Sequence, residues 1–236
     1  MAVIKKTPAE IEAMKEAGRL SAAVLREVGA RCVAGVSTLE LDEFAEDYIR
    51  SHGGIPTFKG YAGFPGSLCA SINEQIVHGI PSSGVKLKSG DIVSIDIGAT
   101  VDGWAGDNAW TFPVGSVSPD KKKLLKVTEE AMWAGISAAR PGNRLGDIGH
   151  AVQAVAKRAG LGVVRDYTGH GIGRDMHEDP LVPNYGTVYD EVLRMKPSTA
   201  KGSYVKSITI ASAMSPGVKV DPAVQRDYDQ PTATEE

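Results

Sequence analysis

Cysteine is almost missing from this chain. Cys32 and Cys69 are the only two in 236 residues, too few for a disulfide framework or a thiolate zinc site. No apolar run reaches 18 residues, and the N-terminus does not join a basic flank to an apolar stretch, so neither a membrane span nor a signal peptide is expected. Excess positive charge is also missing: the formal net charge is −3, which argues against nucleic-acid specificity and against an anionic membrane as partner. What remains is 42% hydrophobic and 23% charged, ordinary for a globular protein with a substantial core. A cytoplasmic, reduced, soluble chain is the expectation.

Helix signals open the chain. In Thr7-Pro8-Ala9-Glu10, Thr7 suits an N-cap, Pro8 the first helical position, and Glu10 closes a capping box. Ile11, Met14, Ala17, Leu20, Leu25 and Val28 follow at roughly helical spacing, predicting a helix to about residue 30. Ser37-Thr38-Leu39-Glu40 repeats the box and starts a second helix, stopped by Gly53-Gly54. Strand and loop are expected over 56–81. A third helix is capped by Ser118-Pro119, and Pro141-Gly142 separates it from a fourth over about 145–157.

An internal echo appears at an offset of 106 residues. Leu39 maps to Leu145, Ala45 to Ala151, Gly54 to Gly160, and Tyr61-Ala62-Gly63 to Tyr167-Thr168-Gly169. Each half runs helix, break, helix, glycine stop, strand. The expectation is an α+β fold of two similar halves whose sheets join into one, with helices on one face. No linker separates the halves, so 1–236 reads as a single domain.

Between the halves lies a hairpin, Asp91 to Ala99 returning through Trp104 to Phe112, with turn chemistry in Val101-Asp102-Gly103. Folding it about residues 101 and 102 puts Asp96 opposite Asp107, where cross-strand Cβ atoms are roughly 5 Å apart. Two carboxylates that close in apolar strands repel unless a cation lies between them. A divalent metal site follows; a solvated pair on an exposed hairpin is the alternative.

Three of the five histidines stand in unusual settings: His78 in Ile76-Val77-His78-Gly79-Ile80-Pro81, and His170 and His177 in a glycine-rich stretch, Thr168-Gly169-His170-Gly171-Ile172-Gly173-Arg174-Asp175-Met176-His177-Glu178-Asp179-Pro180. A spacing of seven is not a helical zinc motif. The alternate glycines instead allow close backbone approach, so that both imidazoles can enter one cavity. His52, at a helix stop, and His150, within a helix, suit packing or surface roles.

Taken together, these residues resemble the type I methionine aminopeptidases of metallopeptidase family M24. The resemblance is carried by Ser71-Ile72-Asn73-Glu74 through His78-Gly79-Ile80-Pro81, by Asp91 to Asp96, by Gly106-Asp107, and by Gly169 to Gly173 through His177-Glu178. It covers residues 6–186 and implies the pseudo-two-fold "pita-bread" fold, an antiparallel curved sheet covered by two helix pairs. It implies a hydrolase that removes the initiator methionine from nascent polypeptides whose second residue is small. Up to two divalent cations (Co, Mn, Fe, Zn or Ni) would be held by Asp96, Asp107, which bridges them, and His170. By the same resemblance His78 lies near the scissile amide and His177 donates to the substrate carbonyl. Tyr61, Phe64, Cys69 and Met176 match positions that receive the methionine side chain; ordinary core is their other reading. The bacterial form is implied; a monomer is the expectation, with the ribosome as a candidate partner. A proline-type peptidase of the same fold matches the 73–81 run less well.

From residue 187 the pattern changes. The family supplies two more metal-binding glutamates there, and neither setting is found. The echo likewise predicts a carboxylate near position 202, which reads Gly202-Ser203. Glu191 and Asp221 are the nearest acids, and Glu235 and Glu236 end a Pro/Thr/Asp-rich tail. Trp and Phe are absent after residue 186, and only 204–210 has a strand pattern. The segment 187–236 reads as a divergent C-terminal part. With two carboxylates against two dications, a single-metal or inactive relative that retains the fold is the alternative reading.

Overall fold

The structure is a computed structural model that describes residues 3–164, 167–183, 208–210 and 218–220. Helix α1 (Pro8–Ala30) and helix α2 (Thr38–Ser51) both begin in capping boxes. The Thr7 hydroxyl accepts the Glu10 N–H at 3.3 Å while the Glu10 carboxylate accepts the Thr7 N–H at 2.8 Å. Ser37 and Glu40 repeat the exchange at 3.2 and 2.8 Å. Each box satisfies backbone donors that the first turn leaves without helical partners.

The first sheet has β3 (Ile92–Val101) at its centre. The short β1 (Ile55–Pro56) and β2 (Leu68–Ile72) pair with one edge of β3, and β4 (Trp104–Pro113) pairs with the other; all pairings are antiparallel. Alternation along β3 decides which side does what. Val93, Ile95, Ile97 and Ala99 enter the main core with Val24, Leu25 and Val28 of α1 and Leu41, Ala45 and Ile49 of α2. Asp96 and Gly98 therefore face the opposite, open side. α1 packs across both β3 and β4, and Asn108 of β4 donates to the Ser21 hydroxyl of α1 at 2.5 Å.

The hairpin register differs from the expected one. The two-residue loop is Asp102-Gly103, with φ of 50° and 75°, a primed turn whose twist matches the strands. Asp96 is consequently opposite Ala109, and Asp107 opposite Gly98. The two aspartates remain on one face but are diagonal neighbours, which side chains can still span.

The second half repeats the helix pair with α3 (Pro119–Ala138) and α4 (Leu145–Arg158), which pack on each other. α2 and α4 are both 14 residues long, in keeping with the echo. The tyrosine segments are not equivalent in structure: Tyr61–Gly63 is a 3-10 turn with Ala62 at φ 47°, whereas Thr168–Gly171 is a strand, β5. β5 pairs with β6 (Glu178–Pro183), with a register shift between His170 and Gly171. Among the described residues this ladder is not continuous with the first sheet. The two are joined by the Ala105 N–H donating to the Gly173 carbonyl at 2.9 Å. Arg174 adds a second tie, stacking 4.1 Å over Trp104 and donating to the Asp102 carbonyl at 3.0 Å. The strand pattern over 204–210 yields β7 (Ile208–Ile210), paired with β8 (Val218–Val220). Glu191, Gly202-Ser203, Asp221, Glu235 and Glu236 lie outside the described residues. Among the described residues no helix is long and apolar enough to cross a membrane.

Candidate active site

On the open side of β3, a cavity of about 780 Å³ collects Tyr61, Phe64, Cys69, His78, Asp96, Asp107, His170, Met176 and His177. All nine residues singled out in the sequence are thus brought to one place. β3 and β4 present Asp96 and Asp107, β2 presents Cys69, β5 presents His170, and the loop between β5 and β6 carries Met176 and His177. His52 and His150 stay outside: His52 caps α2, its Nδ1 donating to the Tyr48 carbonyl at 2.8 Å while its ring stacks on Tyr48.

The carboxylates are electrostatically frustrated. Burial, then the charge of Asp107 and a hydrogen bond with it, push the Asp96 carboxyl up to about 7, where an ordinary aspartate titrates near 4. His170 stands 3.5 Å from the Asp107 carboxylate through Nε2. Its Nδ1 faces the Gly171 carbonyl at 2.9 Å and must donate there, so the neutral ring points the lone pair of Nε2 at a carboxylate. An imidazole with one nitrogen tied to a backbone carbonyl and the other free to ligate is the arrangement seen around bound metals. Two carboxylates and this imidazole therefore fit a divalent cation in charge and donor type. They do not enclose one: among the described residues no three His, Cys, Asp or Glu side chains are gathered closely enough to hold a metal ion unaided.

His177 lies beside His170, ring centroids 4.2 Å apart, and its Nδ1 is 2.9 Å from the Tyr61 hydroxyl. Burial, and then the neighbouring His170, lower its pKa, which favours the neutral ring at physiological pH. His78 adopts φ 59°, a left-handed conformation that non-glycine residues rarely occupy and that concentrates at functional sites. Its ring meets Tyr167 edge-on at 6.2 Å.

In the same cavity, Phe58, Cys69 and Met176 form a small buried apolar cluster with Phe64 packed against it. Burial, and then Asp96, push the Cys69 thiol up to about 12, so it is a packing group here and not a nucleophile. The sequence did not single out Phe58, a lone aromatic in a loop with no periodicity to mark it. Tyr167 was also passed over, although the echo had placed it as the counterpart of Tyr61. Asn73, quoted only as part of a motif, proves structural. Its side chain donates to Asp91 at 2.8 Å and accepts the Ile92 N–H at 3.1 Å and Lys121 at 2.8 Å, fastening the end of β2 to the start of β3.

Comparison with known proteins shows the family. The model of metallopeptidase family M24 matches residues 12–203, taking in part of the segment after Gly186 that lacks the expected motifs. Methionine aminopeptidase 1 of Bacillus subtilis (strain 168) is 50% identical over 214 residues, spanning 87% of this chain and 86% of that protein. Among solved structures, methionine aminopeptidase from Rickettsia prowazekii is 43% identical with a TM-score of 0.77, covering 79% of this chain and 75% of that one. An Xaa-Pro dipeptidase from Bacillus anthracis is more distant, 25% identical with a TM-score of 0.65 over 76% of this chain and 49% of that one. The chain belongs to metallopeptidase family M24 and, within it, to the bacterial-type methionine aminopeptidases with their pita-bread fold.

Proposed function

We propose that this chain removes the initiator methionine from nascent polypeptides by metal-assisted amide hydrolysis. The observation that carries this reading is the adjacency of two unlike walls in one cavity: the apolar group of Phe58, Cys69, Met176 and Phe64 lies next to the carboxylate and imidazole wall. A thioether side chain fits the first, which places the amide that follows it at the second. By the family resemblance, the second residue is a small one.

Asp96, Asp107 and His170 would hold the divalent metal, with Asp107 shared if two ions bind. Bound there, divalent ions lower the pKa of a water and polarise a carbonyl. The remaining steps belong to the chain. With Tyr61 donating to Nδ1 of His177, Nε2 keeps its proton and serves as donor to the substrate carbonyl, where negative charge develops. His78, which lines the same cavity, is the group assigned to the leaving amine. The same reading makes 1–236 one metallopeptidase domain. It sets the enzyme to work as a monomer in the cytoplasm beside the ribosome, where its substrates emerge.

The test is methionine release from a Met-Ala-Ser peptide in the presence of Co²⁺ or Mn²⁺. Release is expected with either ion or both, and is expected to disappear in Asp107→Asn. Absence of metal-dependent release from the unmodified chain would overturn the proposal.

A further inference from the structure

One ion pair differs from the rest. Lys6, the residue before the α1 N-cap, pairs with Glu178, the first residue of β6, across 172 residues of sequence. Their side chains are only 11% and 6% exposed. In the other Lys or Arg ion pairs among the described residues the cation is at least 42% exposed, where such pairs contribute little. A buried pair is different, because removing either partner strands an uncompensated charge.

The surroundings are built to receive it. Glu178 Oε1 accepts the Asp175 N–H at 3.4 Å, so the carboxylate grips its own loop while Oε2 holds Lys6. Gly173 makes the room: a Cβ there would lie 2.6 Å from Lys6 Cε and would overlap Glu178 Oε1. The loop is closed at its base by the pairing of Gly171 with Glu178, and it carries Met176 and His177. Lys6, for its part, leads into α1, which packs across the strands that hold Asp96 and Asp107.

We propose that Lys6 is a positioning residue: its ion pair with Glu178 fastens the 171–178 loop, and with it His177 and Met176, to the half of the molecule that carries the two aspartates. The functional consequence rests on the roles proposed above for His177 and Met176. A ring displaced by about 1 Å can cost a hundredfold in rate. Breaking the clasp therefore lowers turnover more than it weakens binding, and it loosens the wall that selects methionine.

The experiment compares the full chain with Lys6→Met, Lys6→Arg, Glu178→Gln and the double variant Lys6→Met/Glu178→Gln. Amide hydrogen exchange in the metal-free protein is expected to rise several-fold over 171–178 in Lys6→Met, remain unchanged over 92–113, and return toward the unmodified value in Lys6→Arg. On Met-Ala-Ser, Lys6→Met is expected to lower kcat about tenfold or more with a KM change under about threefold, and to raise cleavage of Leu-Ala-Ser relative to Met-Ala-Ser. The double variant is expected to lose little beyond the worse single one, the non-additivity of a contacting pair. Unchanged exchange over 171–178, or fully additive losses, overturns the proposal. Should Lys6→Met fail to fold, the reversed pair Lys6→Glu/Glu178→Lys decides: recovery of folding and of a protected loop supports the clasp, and failure to recover overturns it. If the unmodified chain releases no methionine, the functional reading falls, while the exchange result still judges the clasp.

Discussion

At the scale of single residues, Asp96 has the clearest consequence. In the metal-free fold its carboxyl titrates at about 7, against about 4 when unfolded. Between those values the folded chain holds a proton that the unfolded chain has released, so stability falls as pH rises from about 4 to about 7 and then levels off. Thermal unfolding of the metal-free protein across pH 5 to 8 is expected to show this decline, and Asp96→Asn is expected to flatten it; a flat profile in the unmodified chain would contradict the burial argument. Metal binding must expel that proton, so affinity for Mn²⁺ measured by calorimetry is expected to rise with pH up to about 7. His177 makes a different case, since it contacts the site through Tyr61 and His170 without being one of the expected ligands. His177→Ala is expected to reduce kcat on Met-Ala-Ser by about 10² to 10³ while leaving Mn²⁺ binding within a few-fold. Equal loss of binding and turnover would move it among the ligands instead.

At the scale of elements, the β3–β4 hairpin determines how close the carboxylates come. Sequence supplied the strands and the turn composition, but Val101, Asp102 and Gly103 allow two neighbouring two-residue loops. Choosing between them requires the backbone. Asp102 and Gly103 both have positive φ, which the primed turn needs and which Val101, being β-branched, would resist. Moving the turn by one residue shifts pairing by two, so Asp107 keeps its face and only its partner changes. Gly103 also lies against Arg174, with a Cβ there falling 2.7 Å from the guanidinium. Gly103→Ala is therefore expected to destabilise the fold by about 1–2 kcal/mol in urea unfolding, through strain at positive φ and through loss of the Arg174 contact. The helices offered no such ambiguity, because Thr7-Glu10 and Ser37-Glu40 mark their own starts.

For the whole molecule, the active site exists only where the two halves meet. The hairpin gives the carboxylates, the β5–β6 region gives His170 and His177, and Ala105–Gly173, Arg174–Trp104 and Lys6–Glu178 hold one to the other. A ligand that joins both halves stabilises the native state by mass action. Mn²⁺ at about one hundred times its dissociation constant is expected to add roughly 2.7 kcal/mol of stability, seen as a raised Tm, and Asp107→Asn is expected to abolish the rise. A Tm that ignores the metal would show that the donors do not act as one site.

Sequence alone determined the helix pairs, the strands of the hairpin, and the aspartates and histidines that mark the site, because caps, periodicity and short motifs are local properties that a chain displays in order; resemblance to the family added Tyr61, Phe64, Cys69 and Met176. It could not determine which carboxylate faces which neighbour, that Phe58 and Tyr167 join the cavity wall, or that Lys6 reaches Glu178. Those depend on contacts between segments far apart in the chain, and such contacts arise only when packing the core brings the segments together.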